Sequence, residues 1–166
     1  MRNIVLIGMP GAGKSTIGVI LAKILSMDFV DTDLLIQTRH QQSLQDIVDR
    51  QGYLKLREVE ESEILTLNAK NSVIATGGSA VYSEAAMNHL KRIGRIVYLK
   101  LAADALLKRI KDFQTRGIAK AKGQTFDDLC RERALLYDRH AQITIDCANK
   151  NHETVVEEII AGLGWS

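Results

Sequence analysis

The sequence is poor in the features that mark several protein classes. Only one proline, Pro10, occurs in 166 residues, and no low-complexity tract or internal repeat is present, which excludes a fibrous chain. The two cysteines, Cys130 and Cys147, form no CxxC pair. Neither a zinc site nor a disulfide framework fits them, and a reducing cytosol is the simplest setting. No stretch approaches the ~20 apolar residues that span a bilayer. The apolar run at 4–7 closes on Gly8 and a glycine-rich loop instead of a small-residue cleavage site, so no signal peptide is expected. Excess charge is missing too. The 22 Lys and Arg face 20 Asp and Glu, a net charge of +2 that argues against a nucleic-acid or membrane-surface partner. The four histidines, His40, His89, His140 and His152, show no metal-ligand spacing.

What is present is the composition of a globule with a real core: 46% hydrophobic and 25% charged residues, in a length that suits one domain over residues 1–166. Ile4, Val5, Leu6 and Ile7 read as a strand buried on both faces, as in a parallel sheet. Ile17, Ile20, Leu21, Ile24 and Leu25 then recur along one helical face. Short strands follow at 29–31, 72–76, 95–99 and 143–145. Helical periods fill 43–69, with a break at Gly52, and 83–92, 102–112, 125–140 and 152–163. Strands alternating with helices predict a parallel α/β sheet with right-handed crossovers. Residues 111–124, basic and short of large apolar side chains, are expected to form a mobile surface flap.

The strongest motif is Gly8-Met9-Pro10-Gly11-Ala12-Gly13-Lys14-Ser15, which fits GxxxxGK[ST] at every defined position and lies between a buried strand and a helix. Glycines let such a loop turn its N–H groups inward around phosphate oxygens, and the helix N-terminus adds partial positive charge. Gly11, Ala12, Gly13, Lys14, Ser15 and Thr16 are therefore the nucleotide-binding candidates. Lys14 is expected to reach the β- and γ-phosphates of ATP, and Ser15 to ligate Mg²⁺. A guanine-reading NKxD element is absent, since Asn149-Lys150-Asn151-His152 lacks the aspartate. The DxxG string at Asp49 lies within a helical period, not after a strand. A small phosphotransferase is the economical reading.

Asp31-Thr32-Asp33 ends the second strand, where open α/β sheets carry their ligand crevice. Asp31 can hold Mg²⁺ through a water, and Asp33 can orient or deprotonate an acceptor hydroxyl. The plainer alternative is a helix cap ahead of Leu34-Leu35-Ile36, and both roles can coexist.

Taken together, these elements resemble the shikimate kinase family over nearly the whole chain. Leu56-Arg57-Glu58-Val59-Glu60 is similar to that family's Phe-Arg-x-x-Glu helix. Thr76-Gly77-Gly78 is similar to its Gly-Gly-Gly turn, and Arg133-Ala134-Leu135-Leu136-Tyr137 to its Arg-x-Pro-Leu-Tyr segment. Arg109 and Arg116 resemble the adenine-side and lid arginines. The resemblance implies a P-loop NTPase three-layer sandwich with a five-stranded parallel sheet in the order 2-3-1-4-5. It also implies a substrate-binding helical section at about 32–70 and a lid at about 111–124. It implies that Arg57 and Arg133 grip a substrate carboxylate, with Asp33 on its hydroxyls and Glu60 bracing Arg57. Gly78 would offer a backbone N–H, and Arg116 would close over the transferring group.

Forked arginine donors do suit planar carboxylates, and Arg57 and Glu60, three apart on a helix, can pair. The departures from the family lie on the acceptor side. Ser79 replaces the third glycine, and is expected either to shrink the pocket or to add a hydrogen bond. Leu56 replaces Phe, removing an aromatic wall. Gly117 and Leu135 replace prolines, leaving the lid less stiff in φ. The expected activity is Mg-ATP-dependent phosphorylation of a small hydroxy acid, most simply shikimate to shikimate 3-phosphate, by a cytoplasmic monomer. Another hydroxy acid or hydroxy amino acid such as homoserine, a nucleoside monophosphate, and a non-catalytic nucleotide-binding module are the alternatives.

Overall fold

A computed structural model describes residues 3–110 and 118–165. Five strands form one sheet: β1 (Asn3–Ile7), β2 (Asp28–Asp31), β3 (Ser72–Ala75), β4 (Gly94–Lys100) and β5 (Ile143–Asp146). Their order is β2-β3-β1-β4-β5 and every pairing is parallel, as the resemblance implied. No residue of β1 or β3 is exposed, which requires cover on both faces. Helix α1 (Lys14–Leu25) packs with α8 (His152–Leu163), and α5 (Glu84–Ile93) and α7 (Phe126–His140) pack on β4. The remaining helices are α2 (Thr32–His40), α3 (Leu44–Gln51), α4 (Tyr53–Leu65) and α6 (Ala103–Arg109), with a 3-10 turn at Ala80–Tyr82.

Two local features differ from the sequence expectation, and one agrees with it. Helix α2 gives almost no periodic signal, because it buries only Thr32 and Ile36. Its start is fixed by Asp31, whose side chain accepts from the Asp33 and Leu34 amides, so the capping alternative holds for Asp31. The buried stripe of α1 is Lys14, Ile17, Gly18, Leu21 and Ala22; Ile24, expected inside, is 57% exposed. Gly52 does separate α3 from α4, and a Ser43–Asp46 capping box opens α3.

Beside the main core lies a second one, made of Ile36, Ile47, Leu56, Val59 and Ala119 with Leu44, Val48 and Tyr53 at its margin. It closes α2, α3 and α4 into the helical section. Ile118 packs in the main core and Ala119 in the second, so the described part of the expected surface flap is anchored at these two residues, while Lys122 and Gly123 are exposed. Lys111 and Arg116, with the rest of 111–117, fall outside the described residues.

The parallel order has one consequence for function. All carboxyl ends of the strands point the same way, so the loops after β1, β2 and β3 meet at one edge.

Candidate active site

A cavity of about 530 Å³ opens at that edge. The loop after β1 forms one wall. Gly13 takes φ +97°, a left-handed conformation that costs glycine little, and it begins α1 with no side-chain cap and no acidic residue in the first turn. By contrast, Asp31, Ser43, Thr125 and Asn151 cap α2, α3, α7 and α8. The α1 N-terminus thus presents amides to an incoming anion. The Lys14 ammonium is folded onto the same loop, donating to the Gly8 and Met9 carbonyls at 2.8 and 2.9 Å.

Ser15 Oγ donates to Asp31 Oδ2 at 2.6 Å, while Asp31 Oδ1 caps α2. The carboxylate is therefore fixed by both elements, beside the P-loop. Among the described residues, no three His, Cys, Asp or Glu side chains gather into a metal cage. A hydroxyl and one carboxylate fit Mg²⁺, which takes most of its ligands from phosphate and water.

The opposite side of the cavity is a carboxyl pair, Glu60 buried and Asp33 half-buried, over bare backbone. A Cβ on Gly77 would lie 2.7 Å from both Asp33 Oδ1 and Glu60 Oε1, so any side chain there would push the two apart. The Gly77 amide itself donates to Thr32 Oγ1 at 3.1 Å, tying this turn to α2. Glu60 is 4% exposed. Burial pushes its carboxyl up to about 7, and the neighbouring Asp33 charge adds to this; the Ser79 hydroxyl, Arg133 and Lys14 pull the other way. Ser79 Oγ donates to Glu60 Oε2. Of the two outcomes expected for Ser79, the added hydrogen bond is the one found.

Arg133, 1% exposed, reaches the cavity from α7. Its Nη2 donates to the Ala119 carbonyl at 2.7 Å and its Nε to Tyr82 Oη at 3.4 Å. Tyr137 braces the same corner by donating to the Gly78 carbonyl at 2.6 Å. The Arg57 guanidinium carbon lies 3.5 Å from the Tyr82 ring centroid and 5.1 Å from that of Tyr53. Its Nε is buried without a hydrogen bond among the described residues. The expected Glu60 brace on Arg57 is therefore replaced: Ser79 holds Glu60, and the tyrosines hold Arg57.

Of the sequence candidates, Gly11, Gly13, Lys14, Ser15 and Thr16 line the cavity on the loop side. Asp33, Gly78, Ser79 and Arg133 line it on the acceptor side, and Arg109 lines it at the far end. The Arg109 Nη1 lies 3.9 Å from where a Cβ on Gly13 would stand, beside the phosphate loop. Ala12 is buried, and Asp31 and Arg57, both half-buried, are not among the residues lining the cavity. Leu56 is no wall at all: it belongs to the second core, so its replacement of Phe alters packing and leaves the cavity lining alone. Leu135, 74% exposed, points away from the site. Sequence reasoning missed Tyr53 and Tyr82 as arginine platforms, and His152, which lines the cavity at the start of α8. Isolated aromatics in a helix and a turn carry no motif by which to find them.

The family model for shikimate kinase matches residues 10–163. The chain belongs to the shikimate kinase family. Curated shikimate kinases from Sulfurihydrogenibium sp. and Clostridium botulinum (strain Langeland) are each 37% identical to it, the first over 96% of both chains, the second over 99% of this chain and 98% of its own. Among solved structures, shikimate kinase from Acinetobacter baumannii in complex with shikimate matches with a TM-score of 0.90 at 29% identity, covering 98% of this chain and 93% of its own. The Aquifex aeolicus shikimate kinase matches at 0.83 and 33%, covering 98% and 96%. A deoxyadenosine kinase from M. mycoides, 14% identical with a TM-score of 0.64, shares the fold. This family member is accordingly an ATP-dependent kinase with a P-loop α/β sandwich. Among the described residues no helix is long and apolar enough to cross a membrane.

Proposed function

We propose that this chain transfers the γ-phosphoryl group of ATP to the 3-hydroxyl of shikimate. The observation that carries this reading is a single cavity with the phosphate loop on one side, and the Asp33 carboxylate and buried Arg133 guanidinium on the other. An acceptor bearing both a hydroxyl and a carboxylate matches that second wall. Arg133 and Arg57 bind the carboxylate, and forked donors give it one orientation. Asp33, adjoining the buried Glu60, orients the hydroxyl and accepts its proton as the oxygen attacks phosphorus. Lys14 moves from the loop carbonyls to the phosphate oxygens, and the backbone amides of residues 11–16 cradle them. Arg109 flanks the nucleotide. Bound Mg²⁺ would supply charge neutralisation between phosphates, held by Ser15 and, through water, by Asp31. Arg116 and the lid at about 111–124 are assigned to closure over the transferring group by resemblance. The unit proposed is one kinase domain over residues 1–166, a monomer in the cytoplasm; two free thiols, Cys130 and Cys147, accord with a reducing compartment.

The test is ADP release coupled to a chromogenic readout at saturating Mg-ATP, with shikimate, homoserine, AMP and no acceptor in parallel. Turnover with shikimate far above the rest is expected. Turnover with another acceptor alone would reassign the substrate, and acceptor-independent binding without turnover would point to a regulatory module.

A further inference from the structure

Tyr82 stands outside the cavity lining, yet it reaches two arginines, and one of them, Arg133, lines the cavity. Tyr82 closes the Ala80–Tyr82 turn that follows the Gly77–Gly78 backbone, and its neighbours fix that turn. Ala80 and Val81 are buried, and Ser83 both caps α5 and donates to Glu61 of α4. The ring is held as well. The Arg57 guanidinium carbon lies 3.5 Å from its centroid, a cation seated on an aromatic face. Burial raises the pKa of the phenol, so the hydroxyl keeps its proton, and it faces Glu132 and Arg133 on α7. The three guanidinium nitrogens of Arg133 have separate surroundings. Nη2 donates to the Ala119 carbonyl at 2.7 Å, and Nε donates to Tyr82 Oη at 3.4 Å. Nη1 stands over Gly78, 2.7 Å from where a Cβ on that lining residue would be.

Resting on the shikimate kinase activity proposed above, we infer that Tyr82 is a positioning residue for the acceptor's carboxylate, acting through the Arg133 guanidinium. Ala119 alone would leave that guanidinium free to turn about one hydrogen bond. The Tyr82 hydroxyl supplies a second anchor on another edge, which fixes the plane and keeps Nη1 over Gly78. Arg57, stacked on the ring, keeps the hydroxyl from swinging away. A donor aimed beforehand loses little freedom when a carboxylate meets it. The carboxylate is not the reacting group, so this hold serves the ground state and the transition state alike. Its loss raises KM and leaves kcat in place.

Two measurements test this on Tyr82→Phe, which keeps the ring and removes the anchor, and on Tyr82→Leu, which removes both. The first is kinetic. Tyr82→Phe is expected to raise the shikimate KM about threefold, the scale of one long hydrogen bond. Tyr82→Leu should raise it about tenfold, because the stacking on Arg57 goes as well. The ATP KM and kcat should stay within about twofold. The methyl ester of shikimate offers no carboxylate and serves as a competitive inhibitor; its Ki should change by less than about twofold in both variants, as uncoupled groups do in a cycle. The second measurement is the NMR signal of the Arg133 Nε–H in the ligand-free protein, assigned by its loss in Arg133→Lys. Loss of the hydroxyl should move it upfield in Tyr82→Phe. Equal changes for the acid and its ester would mean that Tyr82 only shapes the pocket, and would overturn the inference. An Arg133 signal unmoved in Tyr82→Phe, or an equal rise in the ATP KM, would overturn it as well. Absence of any shikimate turnover by the parent would sink the proposed function alone, because the Arg133 signal is read without acceptor.

Discussion

At Lys14 two loop carbonyls hold an ammonium beside a helix N-terminus that has no cap. Such a group is costly to desolvate, and its natural exchange partner is a phosphate oxygen. Lys14→Ala is expected to lower kcat on the order of 10²–10³-fold with any acceptor, as loss of one preorganised donor to developing charge does; steady-state ADP release measures it. Glu60 gives a prediction of a different kind. Its carboxyl is raised in the fold from an ordinary 4.5 to about 7, so the folded protein favours the neutral form. The stability tied to that proton is fully present below about 4.5 and is lost as pH climbs through about 7. Glu60→Gln cannot ionise. Its stability relative to the parent should therefore rise between pH 4.5 and 7 and level off above, as read by urea unfolding at a series of pH values. The residues with motifs, from Gly8 to Ser15 and at Asp33, were legible in the sequence because their chemistry is written in spacing. Tyr82 was not, because what matters is that one ring serves two arginines distant in sequence, with Arg57 3.5 Å and Arg133 5.4 Å from its centroid.

Among the elements, strands could be read directly because burial on both faces leaves an uninterrupted apolar run, as in β1. Helix α2 could not. Its three consecutive apolar residues include Leu34, 61% exposed, and a contiguous triplet has no helical period. What makes it a helix is the Asp31 cap and one anchor, Ile36, wholly buried in the second core. Ile36→Ala should therefore cost about 2–5 kcal/mol and raise the shikimate KM more than the ATP KM, because the cavity it leaves lies under the acceptor side. Chemical denaturation and two-substrate kinetics together check both halves. The position of Leu56 follows the same logic. A family pattern marks it as notable, but only the packed structure shows it facing Ile36 and Ile47 inside rather than the ligand.

For the whole molecule, the parallel order β2-β3-β1-β4-β5 brings three loops from distant parts of the chain to one edge, so ligands add ties between segments already linked by the Ser15–Asp31 and Gly77–Thr32 hydrogen bonds. A ligand that binds only the folded state adds stability by mass action, about 2.7 kcal/mol at a hundred times its Kd. At that excess, Mg-ATP should raise Tm by roughly 5–10 °C, and shikimate should add a further increment; differential scanning fluorimetry reads both. The methyl of Ala119 packs in the core shared by α2, α3 and α4, while its carbonyl accepts a hydrogen bond from Arg133 on α7. One residue thus rivets the acceptor-binding helices to the far side of the crevice. In hydrogen–deuterium exchange, amides of α2 to α4 and those of central α7 should open together as one cooperative block, well before the strands of the sheet let go.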